Sequence, residues 1–195
     1  PLMQRRFLFS LIAASSLWLA GCSPNDSKSA SGPSKRDVTI EAITSQAKGF
    51  TVGAMMSTAT VYVFFDSQCP HCGHLWNASI PLHSKVKFVW IPVGWINASS
   101  KSQGAALLMS ATPLELMTEH EASLLAGKGG IAAPSGIPSE IEDAIKANTQ
   151  LVNSFGADAV PFVVTKNLRT GQVEHKAAAL DTASLAAMVG LDLVP

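Results

Sequence analysis

Charge is scarce in this chain, and cysteine scarcer still. Acidic and basic residues make up 14% of its 195 positions, against roughly a quarter in ordinary globular domains. The 14 of each sign cancel, so no global field is left to draw in nucleic acid or an anionic membrane surface. Three cysteines are too few for a disulfide-dense scaffold or for a four-thiolate zinc site. The apolar run Phe7–Leu19 is too short for a comfortable transmembrane span.

What that run does offer is an export signal. Met3-Gln-Arg5-Arg6 is a basic start, Phe7–Leu19 an apolar middle, and Leu19-Ala20-Gly21-Cys22 the end, in the order a signal peptide requires. The end resembles the lipobox of bacterial lipoproteins, which implies cleavage before Cys22, lipidation of its sulfur and a place on the periplasmic side of a bacterial membrane; an ordinary signal peptide cleaved near a small residue, leaving a soluble periplasmic protein, is the other reading. Residues 1–21 are then the signal peptide, and 22–36 a tether. Ser23–Arg36 is rich in Ser, Pro, Gly, Asn and Lys and holds too little apolar surface to fold. Residues 37–195 form one domain, large enough to bury a core.

The chemistry concentrates in Val61-Tyr-Val-Phe-Phe-Asp66-Ser67-Gln68-Cys69-Pro70-His71-Cys72-Gly73-His74. A β-branched and aromatic strand meets a polar turn, and two cysteines open a helix. Free N–H groups and the positive end of the dipole at a helix start favour thiolate over thiol, which makes Cys69 the nucleophile. Pro70 suits the first turn, and His71 adds positive charge or a hydrogen bond. Cys72, one turn in, is the more buried, resolving thiol. Gly73 follows Cys72, so the CxxCH of c-type haem attachment is absent. A copper or zinc module using Cys69, Cys72 and His71 or His74 is the rival reading, with Met55 and Met56 available but more in keeping with packing. Asp66, three before Cys69, either tunes the thiols or caps the turn. His83, His120 and His175 carry no motif.

The rest of the chain alternates strands and helices. Val38–Ile40 with Ile43 alternates like a short strand, and Gly49–Gly53 is a second extended piece. Thr60–Phe65 reads as a central strand, and the helix from the cysteines runs to Ser79, with Cys72, Leu75, Trp76 and Ile80 on one face. Val86–Pro92 is a strand. After a turn at 97–100, helices are expected over 101–111 and 112–126, the second with Thr112, Pro113 and Glu115 as start signals. A capping box at Ser139–Glu142 opens a helix to about Phe155. Val160-Pro161 then begins an apolar strand, a place that suits a cis peptide. A hairpin, a strand over 172–177 and a helix capped by Asp181 complete the chain.

From Thr60 to Leu193 this order resembles the thioredoxin-fold domain of the periplasmic DsbG and DsbC family of disulfide-exchange proteins. The resemblance rests on Phe64-Phe65-Asp66-Ser67-Gln68-Cys69-Pro70-His71-Cys72, on the inserted helices near 101–126, and on Val160-Pro161. It implies an α/β fold with a central mixed sheet flanked by helices, the insertion falling between the second core strand and the cis-proline strand. It further implies attack by Cys69, resolution by Cys72, and a substrate chain held by backbone contacts at Val160 and Pro161. The reaction would be dithiol-disulfide exchange on exported proteins, with no cofactor beyond a Cys69–Cys72 disulfide and with a redox partner to reset it. Relatives of this kind dimerise through an N-terminal domain, which the 22 positions from Asp37 to Thr58 cannot hold, so a monomer is expected. The Cys-Pro-His-Cys motif and the Val before Pro161 resemble DsbA-type oxidases instead.

Overall fold

A computed structural model describes residues 35–192. The expected signal segment, Cys22 and most of the tether lie outside the described residues. Helix α1 spans Ile40–Gln46, strand β1 Phe50–Gly53, β2 Thr60–Asp66 and helix α2 Pro70–Ser79. A 3₁₀ turn, Ile80–Leu82, leads to β3 at Lys87–Val93. Helices α3 (Ala98–Met109), α4 (Pro113–Leu125) and α5 (Ser139–Ser154) follow, then β4 (Phe162–Lys166), β5 (Val173–Ala177) and α6 (Thr182–Val189). Among the described residues no helix is long and apolar enough to cross a membrane.

The five strands lie in the order β1-β3-β2-β4-β5. β2 and β3 are parallel, whereas the β1–β3, β2–β4 and β4–β5 pairs are antiparallel. The sheet is therefore mixed, and β2 sits in the middle. Its near-continuous apolar run serves two cores at once, because successive side chains face opposite sides. Val61, Val63 and Phe65 join α2, α3, α4 and α6 on one face, while Phe64 joins α1 and α5 on the other. Trp76 on α2 is fully buried, its ring 5.2 Å from that of Trp90, and so belongs to the core as expected.

Local departures have local causes. The expected strand at 38–43 is α1: Thr39 caps it by accepting from the Ala42 N–H at 3.2 Å, and Ala42 and Ile43 face the core. A stretch this short fits either period, and the cap decides. Helix α2 ends at Ser79 as expected, but its tighter 3₁₀ continuation turns Ile80 out to 44% exposure, away from Cys72, Leu75 and Trp76. The turn foreseen at 97–100 is already the cap and first turn of α3, where Asn97 and Ser100 bond reciprocally. No capping box closes at Ser139, which is the first residue of α5 with Pro138 before it. Thr112 likewise makes no side-chain cap bond. Acidic residues in both first turns, Glu115 in α4 and Glu140 and Glu142 in α5, still complement the helix dipoles.

Candidate active site

The two cysteines are positioned by a turn that is bonded on every side. At the end of β2 the buried Asp66 turns its carboxylate onto the backbone. Oδ1 accepts from Gln68 N at 2.9 Å, and Oδ2 accepts from Trp95 N at 2.7 Å and Ile96 N at 3.0 Å. Of the two roles open to Asp66, the structure fills that of turn cap. Ser67 donates to the Ser100 carbonyl at 2.9 Å, and His120 Nε2 lies 2.7 Å from the Ser67 carbonyl. Gln68 bonds Gln103, the Gly129 carbonyl and Asn97. The inserted helices thus grip the turn from one side and the β3–α3 loop from another.

Cys69 is the N-cap of α2, with Pro70 at the first helical position. Its carbonyl accepts from the Cys72 N–H at 2.9 Å, and both cysteines are free thiols. Cys69 is buried but for 5% of its surface, and Cys72 is buried completely. Across the sulfur lies the cis peptide Val160-Pro161, with Cys69 Sγ 3.4 Å from the Val160 carbonyl oxygen. Val160 is half-buried and Pro161 buried. The residues singled out from sequence on the two sides of the dithiol therefore meet, although 91 positions separate Cys69 from Val160.

The electrostatics divide the pair. Cys69 is lowered to about 6, first by the hydrogen bond from the Cys72 thiol, then, against the opposing effect of burial, by the Cys72 and His71 amides and last by the His71 charge. Burial, and then the facing Cys69 sulfur, push Cys72 well above the ordinary thiol value. His71 is exposed and ranks last among the causes, so the helix start and the second sulfur do most of what the sequence assigned in part to this imidazole.

The residues of the rival metal reading do not converge. His71 and His74 are both exposed with rings 6.3 Å apart. Among the described residues no three His, Cys, Asp or Glu side chains form a group able to hold a metal. Met55 and Met56 are 58% and 96% exposed, so they are not the packing residues their surroundings suggested.

Sequence reasoning passed over Glu121. It lies on α4, fully buried, with neither carboxylate oxygen bonded to any partner. Burial, then the Cys69 charge, raise it to about 8. One signal was present: Met117, His120 and Glu121 follow the three-and-four spacing of a buried helical face, which puts a carboxylate on an apolar stripe.

Two curated relatives align with the chain. The thiol:disulfide interchange protein DsbG of Pseudomonas aeruginosa is 32% identical over 133 residues, covering 67% of this chain and 50% of that protein. DsbG of Escherichia coli is 31% identical over 105 residues, 53% and 42% of the respective chains. The chain thus spans about half the length of the curated relatives it matches. No family model matches it. A periplasmic thioredoxin-like protein from Salmonella enterica serovar Typhimurium superposes with a TM-score of 0.61 at 18% identity, over 79% of this chain and 97% of that one. The thiol-disulfide exchange protein alpha-DsbA2 from Wolbachia pipientis does so with 0.55 at 19%, over 76% and 92%. The fold is thioredoxin-like, and the sequence is DsbG-like.

Proposed function

We propose that this DsbG-like chain is a thiol-disulfide oxidoreductase acting on exported proteins through Cys69 and Cys72. The observation that carries the reading is the split pair: a thiol lowered to about 6 at a helix start, bonded by a buried thiol pushed the other way, beside Val160-Pro161. Near neutral pH the first is a nucleophile and the second keeps its proton until needed.

The Cys69 thiolate attacks a substrate disulfide and forms a mixed disulfide, which Cys72 resolves. In the opposite direction a substrate thiolate opens the Cys69–Cys72 disulfide at Cys69. Val160 and Pro161 hold the substrate backbone across the sulfur. The Val160 carbonyl, already within 3.4 Å of Cys69 Sγ, is placed to accept from a substrate N–H. Pro70 fixes the first turn of α2, and His71 tunes the leaving sulfur. A stabilised thiolate favours the reduced dithiol, so the disulfide leans oxidising. The chemistry needs no organic cofactor, only a partner that resets the dithiol. The DsbG relatives and the Salmonella periplasmic neighbour support a periplasmic place, and the lipobox-like Leu19–Cys22 supports a lipid on Cys22 as the anchor.

The test incubates the oxidised chain with a reduced, unfolded model protein and the reduced chain with a disulfide-bonded one, and counts thiols with time. Exchange by the wild type and its loss in Cys69→Ala, with metal content equal in both, is the expected result. A Cys69→Ala protein that still exchanges, or one that loses bound copper or zinc, would overturn the assignment.

A further inference from the structure

Among the described residues two carboxylates are fully buried, Asp66 and Glu121. Asp66 spends its oxygens on three backbone amides. Glu121 spends its own on none, which is a costly arrangement for a group with no task. Its position is specific. A Cβ at Gly73, the residue after Cys72, would come 2.6 Å from Glu121 Oε2 and 3.1 Å from Leu125 Cγ. The bare backbone at 73 is what lets the carboxylate lie against α2, near enough for its charge to raise the Cys72 thiol.

The other titratable groups around it are occupied or turned away. From α2 come Cys69 and Cys72, with His71 and His74 exposed. β1 carries none, and the one charged group of α3, Lys101, pairs with Glu142 at 3.2 Å. On α4 itself Glu115 and Glu119 are exposed. His120 is held at both nitrogens: Nε2 faces the Ser67 carbonyl and Nδ1 accepts from Ile131 N at 3.2 Å. An imidazole so engaged is neutral, with no free lone pair for a thiol proton. Among the described residues Glu121 is the one unengaged base whose charge acts on Cys72.

We infer that Glu121 accepts the proton of Cys72 when Cys72 resolves the mixed disulfide, and returns it when the Cys69–Cys72 bond is opened. The inference rests on the exchange activity proposed above. In the resolving step the Cys72 proton passes to the Glu121 carboxylate and the Cys72 sulfur attacks Cys69 Sγ. The bond between Cys69 and the substrate sulfur breaks as the Cys69–Cys72 bond forms. The substrate sulfur leaves with the electron pair and is protonated by solvent. Over both steps the substrate disulfide gains two electrons from the cysteine pair and two protons from solvent, while the pair, which starts as thiolate and thiol, gives up the single Cys72 proton to Glu121. Neither Glu121 oxygen is bonded to Cys72 Sγ, so the proton crosses through one water molecule or a small swing of the carboxylate. The Cys69 charge sets the timing. While Cys69 is a thiolate its charge adds to burial in keeping Glu121 protonated; capture by substrate removes that charge, and Glu121 releases its proton to solvent before it takes the one from Cys72.

The test mixes the reduced full-length chain with oxidised glutathione over a range of pH, quenches in acid, and separates reduced, mixed-disulfide and closed species by mass. In Glu121→Gln, capture by Cys69 is expected within about twofold of wild type. Closure should slow by at least about tenfold at pH 7 and rise steadily with pH where wild type levels off. Glu121→Asp should recover part of the rate and the levelling. The inference is overturned if Glu121→Gln closes at the wild-type rate, or if capture and closure slow together with an unaltered pH profile, as a purely structural role would give. A wild type that captures no glutathione at all would sink the exchange function itself, and this step with it.

Discussion

Replacing Cys72 by Ala removes the largest cause of the low Cys69 value, the hydrogen bond from the second thiol. A hydrogen bond to a charged group is worth about 1.5–3 kcal/mol, and one pKa unit is about 1.4 kcal/mol. The Cys69 midpoint should therefore climb from about 6 by about one to two units in Cys72→Ala. Cys72→Ser, which keeps a donor, should climb less, and so should His71→Ala, since the His71 charge is the smallest of the causes. Reactivity at one pH is a poor readout. A higher value makes the remaining thiolate more nucleophilic, with a Brønsted slope of about 0.4–0.5, and offsets much of the smaller thiolate fraction. The assay is the titration midpoint itself, from thiolate absorbance near 240 nm and from iodoacetamide rates across roughly pH 4 to 10. The sign of the redox consequence follows. A depressed value stabilises the reduced form; that benefit is complete above the ordinary value of 9.0 and disappears as pH falls through about 6. At pH 7 it is about 1.4 kcal/mol, or about 30 mV toward oxidising, for the wild-type pair. A Cys72→Ala midpoint within a few tenths of wild type, or a larger shift in His71→Ala, would refute the reasoning.

Two further substitutions probe the frame around the thiols. The stability gained in Glu121→Leu should be larger at pH 8 than at pH 4 by about 3–5 kcal/mol. The buried carboxyl is raised from 4.5 to about 8, so the wild type forfeits stability as pH rises through that window; urea denaturation showing a pH-independent difference would contradict this. Asp66→Ala orphans the amides of Gln68, Trp95 and Ile96 and should lower stability by about 2–4 kcal/mol. An unchanged denaturation midpoint would remove Asp66 from its role as turn cap.

What could be read without coordinates was what the chain states over short distances. Thr60–Asp66, the helix start at Cys69 and the proline opening Phe162–Lys166 each carry their signal within a few residues, and each lies where expected. The order of elements then brought Val160 to Cys69. The misses share a different character. Residues 38–46 are too few for period to separate strand from helix, so a single cap bond from Thr39 decided the outcome. Asp66 had two roles open until Trp95 and Ile96 arrived from the β3–α3 loop to fill one. Glu121 had a stripe position but no motif, and its meaning comes from Gly73 on another helix.

The inserted helices explain why the site is not legible from the dithiol motif alone. Ser100 and Gln103 from α3, and His120 and Glu121 from α4, are fully or almost fully buried around the turn that presents Cys69. His120 and Gln103 also clamp the 127–138 loop, through Ile131 N, Gly129 O and Ile131 O. A strand-turn-helix unit can acidify a thiol by itself, because helix-start amides and a neighbouring sulfur are local. Keeping the second thiol protonated in an apolar setting, and yet giving its proton somewhere to go, requires a group from outside that unit. In this chain α4 both buries Cys72 and brings a carboxylate to it, so the segment that reads as an insertion on a thioredoxin-like frame carries half of the asymmetry on which exchange depends.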